Sequence, residues 1–481
     1  MPSSPAVIGV DSSTQSTKAV VVDAASGRAL AMGRAAHTVS GSDGARESDP
    51  EQWWRALTEA VAEALRGLDP RAVTGIAVAG QQHGLVVLDG AGRPLRPAVL
   101  WNDTRSAPQA AALTRELGAQ GWLDRTGSVP VASMTAAKWR WLRENEPAAA
   151  DAAAAVRLPH DFLTERLGGV AATDPGDASG TCWYSTATGA YDPFLLELLE
   201  LDEGLLPAVA PGGATAVGVL TPAAAKELGL PEGIPVAAGT GDNMAAAVGL
   251  GLGRAGLLDH PVVSLGTSGT VFAATRTRPA TAALAGFAAA DAPGTYLPLG
   301  CTLNCTLAVD KVAALLGLDR EDAAPGGEAV LLPYLDGERT PDLPRASGLL
   351  TGLRHATTPQ QLLGAAYEGA AFTVLRALDA LPGAGEDVPL RLVGGGAQGR
   401  TWVETVRRLS GRAVTVPRTT ELVALGAAAL AAGAATGEDP VAIATAWGTG
   451  DGETLPPVER DHATWGRIAA ALDTYVSLGA L

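Results

Sequence analysis

VIGVDSSTQSTKAVVV, residues 7–22, is the stretch on which the reading of the fold turns. An apolar run from Val7 to Val10 meets the polar turn Ser12 to Thr17 and resumes from Ala19 to Val22, the pattern of a β-hairpin. Asp11 closes the first strand. The second half of the chain opens in the same way, because Pro261 to Ala274 reads VVSL, then GTSGT, then VFAA. Both turns are built mainly from Gly, Ser and Thr and lie about half a chain apart, which hints at a duplicated pair of lobes.

Strand-like and helix-like segments alternate around each hairpin. In the first half an amphipathic stretch from Pro50 to Leu68 precedes a strand, Val73 to Ala79, that runs into GQQHG. In the second, Leu390 to Val393 leads into GGGAQG, a helix from Arg400 to Ser410, a strand from Ala413 to Val416 and a helix from Glu421 to Ala432. Such alternation predicts an α/β lobe in each half. A chain of 481 residues also exceeds what one hydrophobic core sustains. The boundary is placed near residue 250, giving lobes 1–250 and 251–481. Gly212 to Thr215 and Ala323 to Gly327 read as loops too short to be flexible linkers, and the lobes are expected to share a central cleft.

Composition narrows the function. A formal charge of -16 with scattered lysines and no basic cluster disfavours nucleic acid as a partner. An acidic protein that binds a phosphorylated ligand is expected to use backbone N–H groups and a divalent cation. Three cysteines, Cys182, Cys301 and Cys305, lack framework or zinc spacing and read as free thiols. Met1 to Pro5 lacks the basic and apolar regions of a signal peptide. The apolar segment Ala424 to Ala435 is too short to span a bilayer. A cytoplasmic protein without membrane partners is expected.

Several strand ends carry chemistry-bearing residues. Ile234 to Ala238 stops at Gly239-Thr240-Gly241-Asp242-Asn243 and gives way to a small-residue helix, Met244 to Leu252. A carboxylate there can face a ligand in a cleft, which makes Asp242 the candidate catalytic base; the alternative is a simple helix cap. Asp11, followed by Ser12, Ser13 and Thr14, suits a turn whose N–H groups approach phosphate oxygens while the carboxylate holds Mg2+ through retained waters. Lys18 could add a point charge, and an ordinary polar hairpin is the competing reading. Gly266-Thr267-Ser268-Gly269 repeats that composition after a strand, and Gly394-Gly395-Gly396 forms a third glycine-dense turn against which adenosine could pack. P-loop, GxGxxG and protein kinase motifs are absent from the sequence. His83 in GQQHG and Trp101-Asn102-Asp103 offer imidazole, indole, amide and carboxylate groups suited to a polyhydroxylated ligand. A half-buried structural histidine and a helix-starting aspartate are the plainer readings of His83 and Asp103.

Taken together these segments resemble the FGGY carbohydrate kinases, most closely the members that phosphorylate xylulose. The resemblance covers nearly the whole chain. It runs through VIGVDSSTQSTK (7–18), AGQQHG (79–84), LWNDTR (100–105), AGTGDNMAAAVG (238–249), SLGTSG (264–269), LPYLDGERTP (332–341) and VGGGA (393–397), with family signatures around Met134 to Leu142 and from Gly348 to Glu368. It implies two ribonuclease-H-like lobes of the actin/hexokinase type, with ATP and sugar in the cleft between them. It implies phosphoryl transfer from MgATP to the terminal hydroxyl of D-xylulose, and a homodimer. By the same resemblance Asp242 is the general base and Asp11 the metal-associated carboxylate. Asp11, Ser12, Thr14 and Lys18 belong to the first phosphate hairpin, and Gly266, Thr267 and Ser268 to the second. Gly395, Gly396 and Ala397 fall in the adenosine site, and Gln82, His83, Asp103 and Asn243 in the sugar pocket. Two departures stand out: Ser13 replaces a common Gly, and Gln82 replaces a Met found in some bacterial members. A related kinase for ribulose, glycerol or another polyol, an actin-like ATP-binding switch and a silent sugar sensor are the rival readings.

Overall fold

The computed structural model describes residues 4–279, 281–341, 343, 345–383, 385 and 387–477; Met1 to Ser3, part of the N-terminal stretch read above, lie outside them. The chain divides into two compact units. One comprises residues 1–258, 274–297 and 421–450, and the other 259–273, 298–420 and 451–481.

The first unit is built on the hairpin that opens the sequence. Strands β1 (Ala6–Ser12) and β2 (Ser16–Asp23) pair antiparallel with Asp11 opposite Lys18, and β3 (Ala29–Ala36) continues the meander. On the other side of β1, β4 (Val73–Gly80) runs parallel to it. Beyond lie β5 (Ala216–Val219) and β6 (Pro235–Ala237), giving the order β3-β2-β1-β4-β6-β5, with the short β7 (Thr240–Gly241) also parallel to β4. Parallel strands buried on both faces read as continuous apolar runs, and Ile8, Val10, Ile76 and Val78 are fully enclosed.

One face is covered by the helix Pro50–Ala64. Asp49 caps it by accepting from the Glu51 N–H at 3.0 Å, a proline opens its first turn, and Trp53, Leu57, Ala60, Val61 and Ala64 form a buried stripe at helical spacing. Each such large apolar side chain contributes about 1.5–3 kcal/mol by leaving water. The amphipathic pattern continues to Leu68, but the helix ends at Ala64 because Gly67, at φ +79°, turns the chain away.

The second unit repeats the plan. Strands β8 (Val262–Leu265) and β9 (Gly269–Phe272) form the second hairpin, β10 (Tyr296–Thr302) pairs antiparallel with β9, and β11 (Leu390–Val393) runs parallel to β8. With β12 (Val414–Pro417) and β13 (Gly452–Leu455) the order is β10-β9-β8-β11-β12-β13. Position for position this matches the first sheet: a three-stranded meander, two parallel strands and an antiparallel edge. The duplicated α/β plan expected from the two hairpins is therefore present.

The Ala- and Gly-rich helix Leu422–Thr436 is buried nearly throughout, and it lies against β1, β4 and the helix Asp242–Gly249. A methyl group on Gly9, in mid β1, would overlap the Ala424 carbonyl oxygen. A methyl on Gly249 would overlap the Leu422 carbonyl oxygen, and one on Gly426 that of Ala245. The small residues therefore let this helix touch both the phosphate-hairpin strand and the helix that starts at Asp242.

Candidate active site

Strand β7 ends at Gly241, whose extended backbone (φ -69°, ψ 156°) caps the helix, and Asp242 is the first helical residue. The sequence reading started this helix at Met244; it starts two residues earlier, so Asp242 is not its cap. Its Oδ1 accepts instead from the N–H of Asn243 at 2.8 Å and from Asn243 Nδ2 at 3.1 Å. Oδ2 takes no hydrogen bond from the described residues. Asp242 is half-buried, and desolvation, then the charges of Asp11 and Asp177, push its carboxyl up to about 7. A half-exposed carboxyl with one free oxygen and a raised proton affinity has the properties of a general base.

Asp11 stands buried near the end of β1, and Ser13 Oγ donates to its Oδ1 at 2.6 Å. Desolvation pushes this carboxyl up as well, against the lowering pull of Ser13 and Lys18. Two interacting carboxyls, each held above the usual range, form a place where a cation would relieve both. Among the described residues no group of three or more metal-ligating side chains exists. The residues thus fit Mg2+, which binds through one or two carboxylates, waters and substrate phosphates, and they do not form an all-protein cage.

The turn beyond Asp11 is closed by the Ser13 N–H donating to the Ser16 carbonyl at 3.0 Å, and Ser12 Oγ lies 3.3 Å from Thr17 Oγ1. Thr14 Oγ1 accepts from the Trp101 indole at 3.0 Å. Lys18, expected as a point charge for phosphate, has its ammonium 2.8 Å from Glu421 Oε2. That partner lies so far along the sequence that no local pattern announces it.

Gln82, His83 and Asn243 gather around Asp242. Asn243 Nδ2 donates to Gln82 Oε1 at 2.8 Å, while Gln82 Nε2 is buried without a partner among the described residues. His83 adopts φ +64°, packs at 5.5 Å on the Phe287 ring, and needs Gly180, where any side chain would overlap its imidazole. Asp103 stands differently. Its buried carboxylate accepts from the Arg46 N–H at 2.8 Å, the Arg105 N–H at 3.0 Å and the Arg105 guanidinium at 2.6 Å. Burial raises its proton affinity, but these donors outweigh it and hold the carboxyl below its usual value. With both oxygens filled, Asp103 fixes its own loop and presents no open acceptor for a sugar.

Behind the site lies a buried cluster that the sequence reading missed. His160 Nδ1 donates to Asp177 Oδ2 at 2.7 Å, and Asp161 Oδ1 lies 3.3 Å from Nε2. Thr240 Oγ1 donates to Asp174 Oδ2 at 2.7 Å, and Asp174 also accepts from the Gly176 and Asp177 N–H groups. Burial alone would lower the His160 imidazole, but Asp161, Asp177 and Asp174 push it up to about 9. Asp161 and Asp174, raised chiefly by burial, sit at about 6. The cluster braces the strands that carry Gln82 and Asp242, because a methyl group on Gly80 would lie 2.9 Å from His160 Cβ and one on Gly239 3.3 Å from its Cδ2.

In the second unit, the turn Gly266 to Ser268 joins β8 to β9, and Thr306 donates to the Gly266 carbonyl through its N–H at 3.1 Å and its Oγ1 at 2.8 Å. Gly394 has φ +85°, and a methyl there would lie 2.8 Å from the Leu265 carbonyl oxygen. The second serine- and threonine-bearing turn and the glycine triplet are therefore adjacent. No atom lies within 4 Å of where a Gly395 methyl would sit, so this turn keeps an open face on which a flat ligand can lie.

Comparison with known proteins agrees with this geometry. Residues 6–249 match the N-terminal domain of the FGGY family of carbohydrate kinases, and residues 262–435 match its C-terminal domain. A xylulose kinase of Streptomyces rubiginosus is 59% identical over 97% of this chain and 96% of its own length. One from Streptomyces coelicolor is 58% identical over 97% and 96%. The crystal structure of xylulose kinase from Bifidobacterium adolescentis, 35% identical, superposes with a TM-score of 0.82 over 98% of this chain and 99% of that one.

Proposed function

Because the chain belongs to the FGGY family of carbohydrate kinases, we propose that it transfers the terminal phosphoryl group of ATP to the terminal hydroxyl of D-xylulose, giving D-xylulose 5-phosphate and ADP. The substrate assignment is supported by the near full-length identity to the two Streptomyces xylulose kinases. The observation that carries the mechanism is the state of Asp242, whose Oδ1 is held by Asn243 while Oδ2 stays open beside Gln82, His83 and Asn243.

Phosphoryl transfer needs in-line placement and charge neutralisation more than covalent chemistry. In this reading Gln82, His83 and Asn243 orient the ketose, and Asp242 Oδ2 takes the proton of the attacking hydroxyl. Asp103 acts as the anchor of the neighbouring loop. Asp11 holds Mg2+, which neutralises charge on the phosphoryl oxygens when bound. Ser12, Thr14 and the Gly266-Thr267-Ser268 turn supply N–H and hydroxyl donors to the phosphates. Lys18 acts as a charge shared with Glu421, and Gly395, Gly396 and Ala397 receive adenosine. Sugar and first phosphate turn thus belong to residues 1–250, second phosphate turn and nucleoside to 251–481. No helix among the described residues is long and apolar enough to cross a membrane. The reading includes a cytoplasmic homodimer, supported by the family resemblance and checked by sedimentation.

The test is ADP release with D-xylulose, ATP and Mg2+, measured on the unaltered chain and on Asp242→Ala. Turnover should require all three components, and the variant should lose roughly a hundred- to ten-thousand-fold in kcat, the usual yield of general base catalysis. Equal turnover by the two proteins would refute the assignment of the base.

A further inference from the structure

Two buried polar atoms beside the proposed base have no hydrogen-bond partner among the described residues: Asp177 Oδ1 and Gln82 Nε2. Both side chains close on Gly241. A methyl group there would lie 2.6 Å from Gln82 Cγ, 3.0 Å from Gln82 Cδ and 3.1 Å from Asp177 Oδ1. One atom is an acceptor and the other a donor, and an unmatched buried pair is costly unless it serves something.

The chemistry of the neighbours gives the pair a direction. The second oxygen of Asp177 is tied to His160 Nδ1 at 2.7 Å, so the carboxylate is held in place and can only accept from Gln82. An amide that turns its NH2 toward Asp177 must turn its oxygen the other way, and Gln82 Oε1 does accept from Asn243 Nδ2. Asn243 Nδ2 also donates to Asp242 Oδ1. Its two protons are then used, and Asn243 Oδ1 is the polar atom left over. We propose that Asp177, resting on the reading of Asp242 as the base, is a positioning residue: by taking the Gln82 Nε2 donor it fixes the orientation of both amides, so that the site offers the substrate hydroxyls two acceptors, Asp242 Oδ2 and Asn243 Oδ1. With either amide reversed, Asn243 would present donors where the attacking hydroxyl must give up its proton, and the hold on Asp242 Oδ1 would be lost.

The direction of the chain of hydrogen bonds can be inverted and restored by substitution. In Asp177→Asn the oxygen still accepts from His160, so the new NH2 faces Gln82 and opposes its NH2. In Gln82→Glu two carboxylates face each other. In the double variant, the carboxylate introduced at position 82 accepts from the amide introduced at position 177 on one side and from Asn243 on the other, so the original orientation of Asn243 returns. Each single variant should lose about tenfold to a hundredfold in kcat/KM for D-xylulose, and the double should recover to within about fivefold of the unaltered chain, since an unmatched buried polar pair carries an effect of that order. Thermal unfolding midpoints should show the same coupling, both singles lowered and the double raised above the sum of their effects. A merely structural role would make the double worse than either single, and that result overturns the proposal, as does Asp177→Asn with unchanged kcat/KM. If Asp177→Asn fails to fold alone but folds and turns over with Gln82→Glu added, the coupling is established; if neither chain carrying the Asp177→Asn substitution folds, Asp177 is a framework residue and the proposal falls. The unfolding cycle needs no substrate. Coupled midpoints in a chain that does not phosphorylate D-xylulose would therefore overturn the substrate assignment and leave the network standing.

Discussion

Gly241→Ala tests the geometry of the site with a single methyl group. At φ -69° and ψ 156° the backbone is one that alanine adopts freely, so no backbone strain accompanies the change. Removing a glycine even gains about 0.4–1 kcal/mol by restricting the unfolded chain. What remains is contact. The new Cβ would lie 2.6 Å from Gln82 Cγ and 3.0 Å from Gln82 Cδ. Ordinary carbon separations are about 3.5–4.0 Å, so Gln82 must retreat by roughly 1 Å. It is 5% exposed and its Oε1 is tied to Asn243 at 2.8 Å, so the retreat must break that bond or drag Asn243, whose N–H and side chain hold Asp242 Oδ1. Overpacking of this kind costs about 1–3 kcal/mol of stability, while a 1 Å misplacement near reacting groups costs about a hundredfold in rate. The expected result is a folded protein, slightly destabilised in urea, whose kcat/KM in coupled ADP release falls by about two orders of magnitude. Adding Gln82→Ala removes the clash, so the double variant should match Gln82→Ala alone. A folded Gly241→Ala protein within about twofold of the unaltered kcat/KM would show that Gln82 and Asn243 do not hold the base in place.

Two further outcomes concern the framework. Gly9→Ala places a methyl group against the Ala424 carbonyl oxygen and the Ala428 backbone, neither of which can swing aside; it should lose more than about 3 kcal/mol of stability or fail to fold, and a urea midpoint near that of the unaltered chain would refute the close helix-to-strand packing. The second is electrostatic. The pKa of His160 is raised from 6.5 to about 9, so its imidazolium contributes stability that is complete below about pH 6.5 and is lost as pH rises through about 9. In NMR of histidine-labelled protein, the resonance that disappears in His160→Asn should hold a constant shift from about pH 6 to about pH 8 and move only above that range; a midpoint at or below about 6.5 would mean that the surrounding carboxyls are protonated instead.

What could be read from the chain and what could not divide along the range of the interaction. Asp11, Asp242, Gln82 and Asn243 all follow strand ends marked by glycine or hydroxyl residues, and a strand end places the next side chain at the edge of its sheet whatever the distant chain does. The glycines were legible as turns for the same local reason, although the need for Gly9, Gly249 and Gly426 came from a helix beginning at residue 422. His160, Asp174 and Asp177 carried no such mark. His160 lies inside a helix opened by Pro159, and Asp174-Pro175 has the form of a helix cap, which the structure shows it to be through the Gly176 and Asp177 N–H groups. Only the packing of that helix and turn against β4 and β7 brings the imidazole and three carboxyls together. One physical signal was available: three aspartates and a histidine, residues 160 to 177, in a stretch otherwise rich in apolar and small residues are too many charges to leave unpaired in an interior. Asp103 shows the opposite failure. Its position in LWNDTR suggested a ligand, yet Arg105, two residues on, was the partner in plain view, and a carboxylate that can satisfy itself so close by has nothing left to offer a substrate. The useful question of a polar residue at a strand end is therefore which neighbour in sequence can quench it; Asp242, with only Asn243 beside it, keeps one oxygen open.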